Sequence, residues 1–182
     1  TLYVGANDGM LHAMNANTGA ELFAYVPAGI SLSDLSTLSR PDYAHRYFVD
    51  GQIVVSNRVQ TPDINILVGT LGKGGKGLFA LNVTSPGSVQ ATNILRWERF
   101  ETSGNNMGLI QARPLIVKLN NGDTGLIVPN GINSTNGRAV LLVYNLTNGT
   151  LIREISTNVG DAAQDSANSN GLTGAVGWDR DA

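Results

Sequence analysis

The chain of 182 residues contains no cysteine. That absence excludes disulfide staples, thiolate metal sites and a cysteine nucleophile. It leaves the compartment open, since exported bacterial proteins often do without cysteine too. Charge is equally thin: 12 Lys and Arg against 14 Asp and Glu make 14% of the chain and leave a formal net charge of −2. With a sequence pI of about 5.6, this argues against an electrostatic nucleic-acid binder, which would show a basic face. No apolar run approaches the ~20 residues of a membrane-crossing helix, so no membrane span is expected.

Glycine is what the chain holds in quantity, at 22 residues, and much of it falls in turns between short apolar runs. Three stretches repeat one pattern. The first reads Leu2–Ala6, a turn at Asn7-Asp8-Gly9, Met10–Met14, a turn at Asn17-Thr18-Gly19, then Glu21–Val26. The second reads Ile66–Gly69, a glycine-rich turn, Leu78–Val83, a loop, then Ile94–Glu98. The third reads Leu126–Val128, a turn, Val140–Tyr144, Thr147-Asn148-Gly149, then Leu151–Ile155. A period on the order of 60 residues, built from short strands and Asn/Gly turns, predicts radially repeated sheets, most simply a β-propeller.

The pattern therefore predicts an all-β fold: a partial propeller of four-stranded antiparallel blades, with one short helical insertion near residues 31–38. Ser31 supplies the helix cap there, and leucines follow at intervals of three. The blades are read as a partial one at 1–27, full ones at 44–100 and 108–157, and the start of another at 171–182. In the second blade the strands are expected at Tyr47–Val55, Ile64–Gly69, Leu78–Val83 and Ile94–Phe100; the third opens with Ala112–Leu119 and ends near Ser156. Near-continuous apolar runs suit inner strands covered on both faces, whereas the mixed runs Glu21–Val26, Ile94–Phe100 and Leu151–Ile155 suit outer edges. Asp8-Gly9, Asn121-Gly122, Asn136-Gly137 and Asn148-Gly149 are hairpin turns by composition. Gly160–Gly171 is expected to be the most mobile loop. Thr1 falls inside a strand-like run and Ala182 follows the strand-like Gly174–Trp178, so a cut through a longer protein is expected.

Candidate chemistry is sparse. Gly72-Lys73-Gly74-Gly75-Lys76-Gly77 has the spacing of a dinucleotide loop, but that function needs a following helix to receive the phosphate. The strand-like Leu78–Val83 follows instead, so the segment is read as a hairpin turn. His12 lies in an apolar strand and His45 beside Arg46, with neither a serine elbow nor metal-ligand spacing; both are expected to be structural and bonded to backbone. Trp97, Trp178, Tyr3, Phe23, Tyr25, Phe79 and Tyr144 are read as blade-packing rings. The sequons at Asn82, Asn133, Asn145 and Asn148 are turn chemistry in a bacterial protein. Asp161 and Asp165 sit in the loose loop, where nothing holds them to catalytic geometry.

Several stretches, in order, resemble the C-terminal domain of the PilC/PilY family of type IV pilus proteins. They are Tyr3–Ala13, Thr18–Pro27, His45–Gly51, Leu71–Thr84 and Asn145–Ile152. The resemblance implies a modified β-propeller at the cell surface, pilus tip or outer membrane of an exporting bacterium. It implies a non-enzymatic pilus biogenesis and adhesion module that promotes assembly, counteracts retraction and meets pilins, minor pilins or a host-surface receptor. It also implies a calcium loop in the parent protein, with Asp179 and Asp181 at its first two ligand positions. Ca2+ takes about six to eight oxygens, so the site is expected to be incomplete in this chain; by residues alone the pair reads as a solvated acidic turn. Two other functions stay open. The turn Asn17–Phe23 resembles that of quinoprotein dehydrogenase propellers, but carries Phe23 where they carry tryptophan and lacks their adjacent cysteines. The third is a periplasmic scaffold propeller of the outer-membrane assembly type.

Overall fold

A computed structural model describes residues 1–160 and 170–178. The chain forms three antiparallel sheets, each a meander in which neighbouring strands follow one another in sequence. The first comprises β1 (Leu2–Gly5), β2 (Leu11–Met14) and β3 (Glu21–Tyr25). The second comprises β4 (Ile53–Val55), β5 (Ile66–Thr70), β6 (Gly77–Asn82) and β7 (Leu95–Phe100). The third comprises β8 (Leu115–Lys118), β9 (Thr124–Pro129), β10 (Ala139–Asn145) and β11 (Leu151–Val159). Two four-stranded blades and a three-stranded sheet of the same order make the fold all-β and propeller-like.

Alternation along the strands explains why the sheets stack. In β5, Ile66 and Val68 face the third sheet while Leu67 faces the first. In β6, Leu78 and Ala80 face the third sheet while Phe79 and Leu81 face the first. Side chains two apart share a face of a strand, so an unbroken apolar run supplies two separate cores. One core unites Leu11, Phe48, Val49, Leu67, Phe79 and Leu81. The other unites Ile66, Val68, Leu78, Trp97, Leu126, Val128, Leu142 and Tyr144. At about 1.5–3 kcal/mol for each fully buried large apolar side chain, this double burial is the main force holding blade to blade.

The helical insertion lies where the sequence places it. It is α1 (Leu32–Leu35), continued by a 3-10 turn at Ser36–Ser39. Ser31 Oγ accepts from the Asp34 N–H at 3.2 Å, closing the amino end. A second single-turn helix, α2 (Ala91–Ile94), precedes β7, with Gln90 and Asn93 capping each other. The four Asn/Asp-Gly turns hold their glycines at positive φ, from 62° at Gly137 to 92° at Gly9. Among the described residues no helix is long and apolar enough to cross a membrane.

The first strand of the second sheet is much shorter than its apolar pattern. Tyr47–Val55 reads as one strand, but only Ile53–Val55 joins the ladder. Residues 48–50 instead run between two sheets: the Val49 N–H donates to Ala6 O at 3.3 Å and the Asp50 N–H to Leu71 O at 3.2 Å. The opening strand of the third sheet is likewise Leu115–Lys118 rather than Ala112–Leu119. β11 runs past Ser156 to Val159, because a register shift opposite Ala139 and Val140 lets pairing resume. Asn158, at φ 61°, lies beside that irregularity.

Candidate interaction site

Among the described residues, side-chain chemistry gathers on both sides of the second sheet, where it meets its neighbours. β7 divides its residues between them. Trp97 and Arg99 point to the third sheet, and Glu98 and Phe100 to the first.

Toward the third sheet, the buried Trp97 donates its indole N–H to Leu146 O at 2.8 Å. Its ring lies so close to Gly149 that a Cβ there would come within 2.5 Å of it, so only glycine fits under the indole. Arg99 Nε donates to Gly149 O at 2.8 Å. The β10–β11 turn is thus held by its outward carbonyls. Further along, Glu101 pairs with Lys76 at 2.9 Å and accepts from the Thr135 N–H at 3.0 Å. Burial by itself raises the Glu101 carboxyl. The hydrogen bonds of Thr135 and Lys76, with the Lys76 charge, outweigh that and hold it below its ordinary value. Tyr144, against Trp97 at 6.3 Å between ring centroids, is pushed up to about 12, chiefly by burial.

Asn130, with no exposed surface, completes this side. Its Nδ2 donates to Asn106 O and to Arg138 O, both at 2.7 Å. Its Oδ1 accepts from the Val140 N–H at 3.1 Å and the Leu172 N–H at 3.0 Å. All four positions of the amide are used, so it ties the incoming linker, the β9–β10 hairpin and residue 172 together. Asn106 extends the network, donating to Glu154 Oε1 at 2.6 Å.

Toward the first sheet, one carboxylate oxygen of Glu98 accepts from the Tyr25 hydroxyl at 2.7 Å and from the Ala28 N–H at 2.9 Å. Burial, then the Glu98 hydrogen bond, push the Tyr25 phenol well above its ordinary value, so it remains a donor across the working pH range. On the same side the linker carrying His45–Gly51 lies against the Leu71–Gly75 turn. A Cβ on Gly74 would come within 1.7 Å of Phe48 O, so the two backbones are in direct contact. That contact sets Tyr47 beside Lys73, whose ammonium lies over the Tyr47 ring at 4.9 Å. His45 meets the same ring edge-on, also at 4.9 Å. Arg46 is fixed by Asp34 of α1, Nη1 to Oδ1 at 2.9 Å, and by its backbone N–H, which donates to the Tyr43 hydroxyl at 3.0 Å. Ser31, Asp34, Arg46, Tyr47, Lys73 and Gly74, with Phe48, line a cavity of about 270 Å³.

Sequence comparison agrees with this architecture. The sequence model described as the PilY1 beta-propeller domain matches residues 1–179. The chain belongs to the PilY1 β-propeller family. A type IV pilus biogenesis factor PilY1 homolog of Xylella fastidiosa is 46% identical over 160 residues, covering 87% of this chain and 11% of that protein. The type IV pilus biogenesis factor PilY1 of Pseudomonas aeruginosa UCBPP-PA14 is 40% identical over 157 residues, covering 85% and 13%. The chain thus spans roughly an eighth of the length of these relatives. The crystal structure of the Pseudomonas aeruginosa PilY1 C-terminal domain superposes with a TM-score of 0.66 at 33% identity, over 87% of this chain and 31% of that one.

Within this PilY1-family propeller, Asp179 and Asp181 lie outside the described residues, as do Asp161 and Asp165. Among the described residues no three His, Cys, Asp or Glu side chains are placed to hold a metal ion. His12 comes nearest, and its partners are carboxylates rather than the backbone expected from sequence. Nδ1 meets Glu21 Oε2 at 2.6 Å and Nε2 meets Asp8 Oδ2 at 2.9 Å. The acids sit at opposite ring nitrogens, an arrangement that binds an imidazolium proton pair. The Glu21 bond first and the Asp8 bond second raise the His12 pKa above its usual value, against the opposing effect of burial. Gly72–Gly74 forms a 3-10 turn and a strand follows it, as the hairpin reading requires. Glu98, Asn106 and Asn130 were not legible as site residues: Tyr25, Glu154 and Asn106, the partners that join them to other elements, lie 73, 48 and 24 positions away in the chain.

Proposed function

We propose that this chain is a non-enzymatic module of type IV pilus biogenesis whose rigid blades present interblade loops to a pilus component or a surface receptor. The observation that carries the reading is family membership across residues 1–179, joined to relatives named as type IV pilus biogenesis factors. A further support is where the shifted titratable groups sit. Tyr25, Glu101 and Tyr144 belong to sheet-to-sheet contacts and His12 to a hairpin clasp. Tyr3, raised chiefly by burial, lies against the Phe23 ring of its own sheet, so among the described residues each shift has a structural cause. In this reading the parent protein acts at the cell surface or pilus tip, favours assembly over retraction and supports attachment. Calcium control belongs to the parent protein through Asp179 and Asp181.

Deleting this segment from the full-length protein tests the proposal in its native host. Surface pili should fall sharply, and should return when the retraction motor is also removed. Unchanged piliation in the deletion strain overturns the biogenesis role, and failure of the second deletion to restore pili overturns the antagonism of retraction. Calcium binding is tested separately by titrating the full-length protein and its Asp179→Asn/Asp181→Asn variant; equal affinity in the two removes those residues from the site.

A further inference from the structure

We propose that the cavity between α1 and the Leu71–Gly75 turn is a recognition site for a single carboxylate of a partner polypeptide. The site is argued from its own geometry and stands whether or not the pilus reading holds.

Three features point to a carboxylate. First, Arg46 is only half used. Its Nη1 is held by Asp34 at 2.9 Å, which leaves the Nε–Nη2 edge of the guanidinium without an acceptor among the described residues. That edge is the one that pairs side by side with both oxygens of a carboxylate. Second, Lys73 lines the same cavity and makes no ion pair among the described residues; its contact is with the face of Tyr47. A ring contact uses none of the three N–H donors of the ammonium, which have further reach. Third, two cations against the one lining carboxylate of Asp34 leave the cavity a single positive charge in excess.

The scale and the setting choose the ligand. At about 270 Å³ the cavity is below the roughly 300–1,000 Å³ of a small-molecule site, and suits one side chain or one chain end. The whole chain carries a net charge of −2, so a polyanion such as nucleic acid is repelled by the remainder of the surface, while one carboxylate meets only the local pair. Tyr47, 41% exposed, offers an apolar wall for the methylene or backbone next to that carboxylate. The walls are also fixed beforehand. Gly74 and Phe48 are in backbone contact and Phe48 N donates to Asn7 Oδ1 at 3.2 Å, so the backbone of the site needs little ordering on binding.

The test is NMR titration of the full chain with three short peptides and one ion. Ac-Gly-Glu-Gly-NH2 presents an acidic side chain, Ac-Gly-Phe-Gly-OH a chain end, and Ac-Gly-Gln-Gly-NH2 neither; inorganic phosphate is the fourth probe. Saturable shifts of the Tyr47 and Gly74 amides with either carboxylate peptide support the site, and the tighter of the two names the source. Affinity should fall at least tenfold in Lys73→Met and at least threefold in Arg46→Lys, which keeps the charge but loses the fork. Lys118→Met, on β8, should bind as the parent does. The Trp97 indole resonance, remote from the change, verifies that each variant is folded. Equal binding of the glutamine peptide, undiminished binding by Lys73→Met, or shifts with phosphate alone overturns the proposal.

Discussion

The two faces of the second sheet are held to their neighbours in different ways. Toward the third sheet the contact is a set of directional bonds in an apolar core: Trp97 and Arg99 on the Leu146–Gly149 turn and Glu101 on Thr135, backed by Asn130, which ties the linker after β7 to the third sheet. Toward the first sheet the polar bonds are fewer. Glu98 takes Tyr25 and Ala28, the linker before β4 donates from Phe48 and Val49 to Asn7 and Ala6, and the rest is ring packing. The difference teaches where each face can yield. A contact made of many buried, mutually satisfied donors fails as a unit when one is removed. A contact made of rings and a few scattered bonds gives way piecemeal, and it is this side that carries the open cavity.

Trp97→Ala should break the contrast most severely. It empties a core position and removes the lid over Gly149, at a cost of about 3–5 kcal/mol, read as a lower midpoint in urea unfolding. Asn130→Ala comes next, at about 3 kcal/mol, because several buried partners lose their bonds together and each orphaned group costs about 1–3 kcal/mol. A loss below 1 kcal/mol there would mean that the central amide is not a structural hub. Tyr25→Phe, on the opposite face, should cost only about 1 kcal/mol, the value of one hydrogen bond. Combined with Trp97→Ala it should be additive, since the two share no partner; a clear coupling energy would show that the faces are not independent.

The smallest effect expected is a pH dependence. The folded chain raises the His12 pKa, so folding binds the proton more tightly than the unfolded chain does. The resulting stabilisation is complete below the unfolded value of about 6.5 and is lost as pH rises through the higher folded value. The stability gap between the parent chain and His12→Gln should therefore narrow from pH 6 to pH 9. A gap that widens over that interval would mean that the ring is held neutral between Asp8 and Glu21.

How much of this was legible in the sequence follows from the range of each interaction. Ile66–Gly69, Leu78–Val83 and Val140–Tyr144 announce buried strands because their neighbours are apolar in the same way. The Asn/Asp-Gly pairs announce turns because few other residues take their backbone angles. The capped helix at Ser31 is equally local. Residues 47–51 mislead for the opposite reason: their apolar pattern is that of a strand, but the bare backbone of Gly74 draws them out of the ladder. The cavity needed Arg46, Asp34 and Lys73 to be brought together from three separate elements. Neither periodicity nor motif spacing carries that information. Glu98 and Tyr25, 73 residues apart, lie beyond any local signal.

The division of labour in β7 has a consequence for how such a sequence can change over generations. Substitutions at Trp97 or Arg99 alter one neighbour and leave the other untouched, and substitutions at Glu98 or Phe100 do the reverse. Each side can therefore drift on its own. A single inserted or deleted residue in that strand is another matter, for it would exchange both sets of side chains at once. Length in β7 is thus under far tighter constraint than identity, and lineages should differ there by replacement alone.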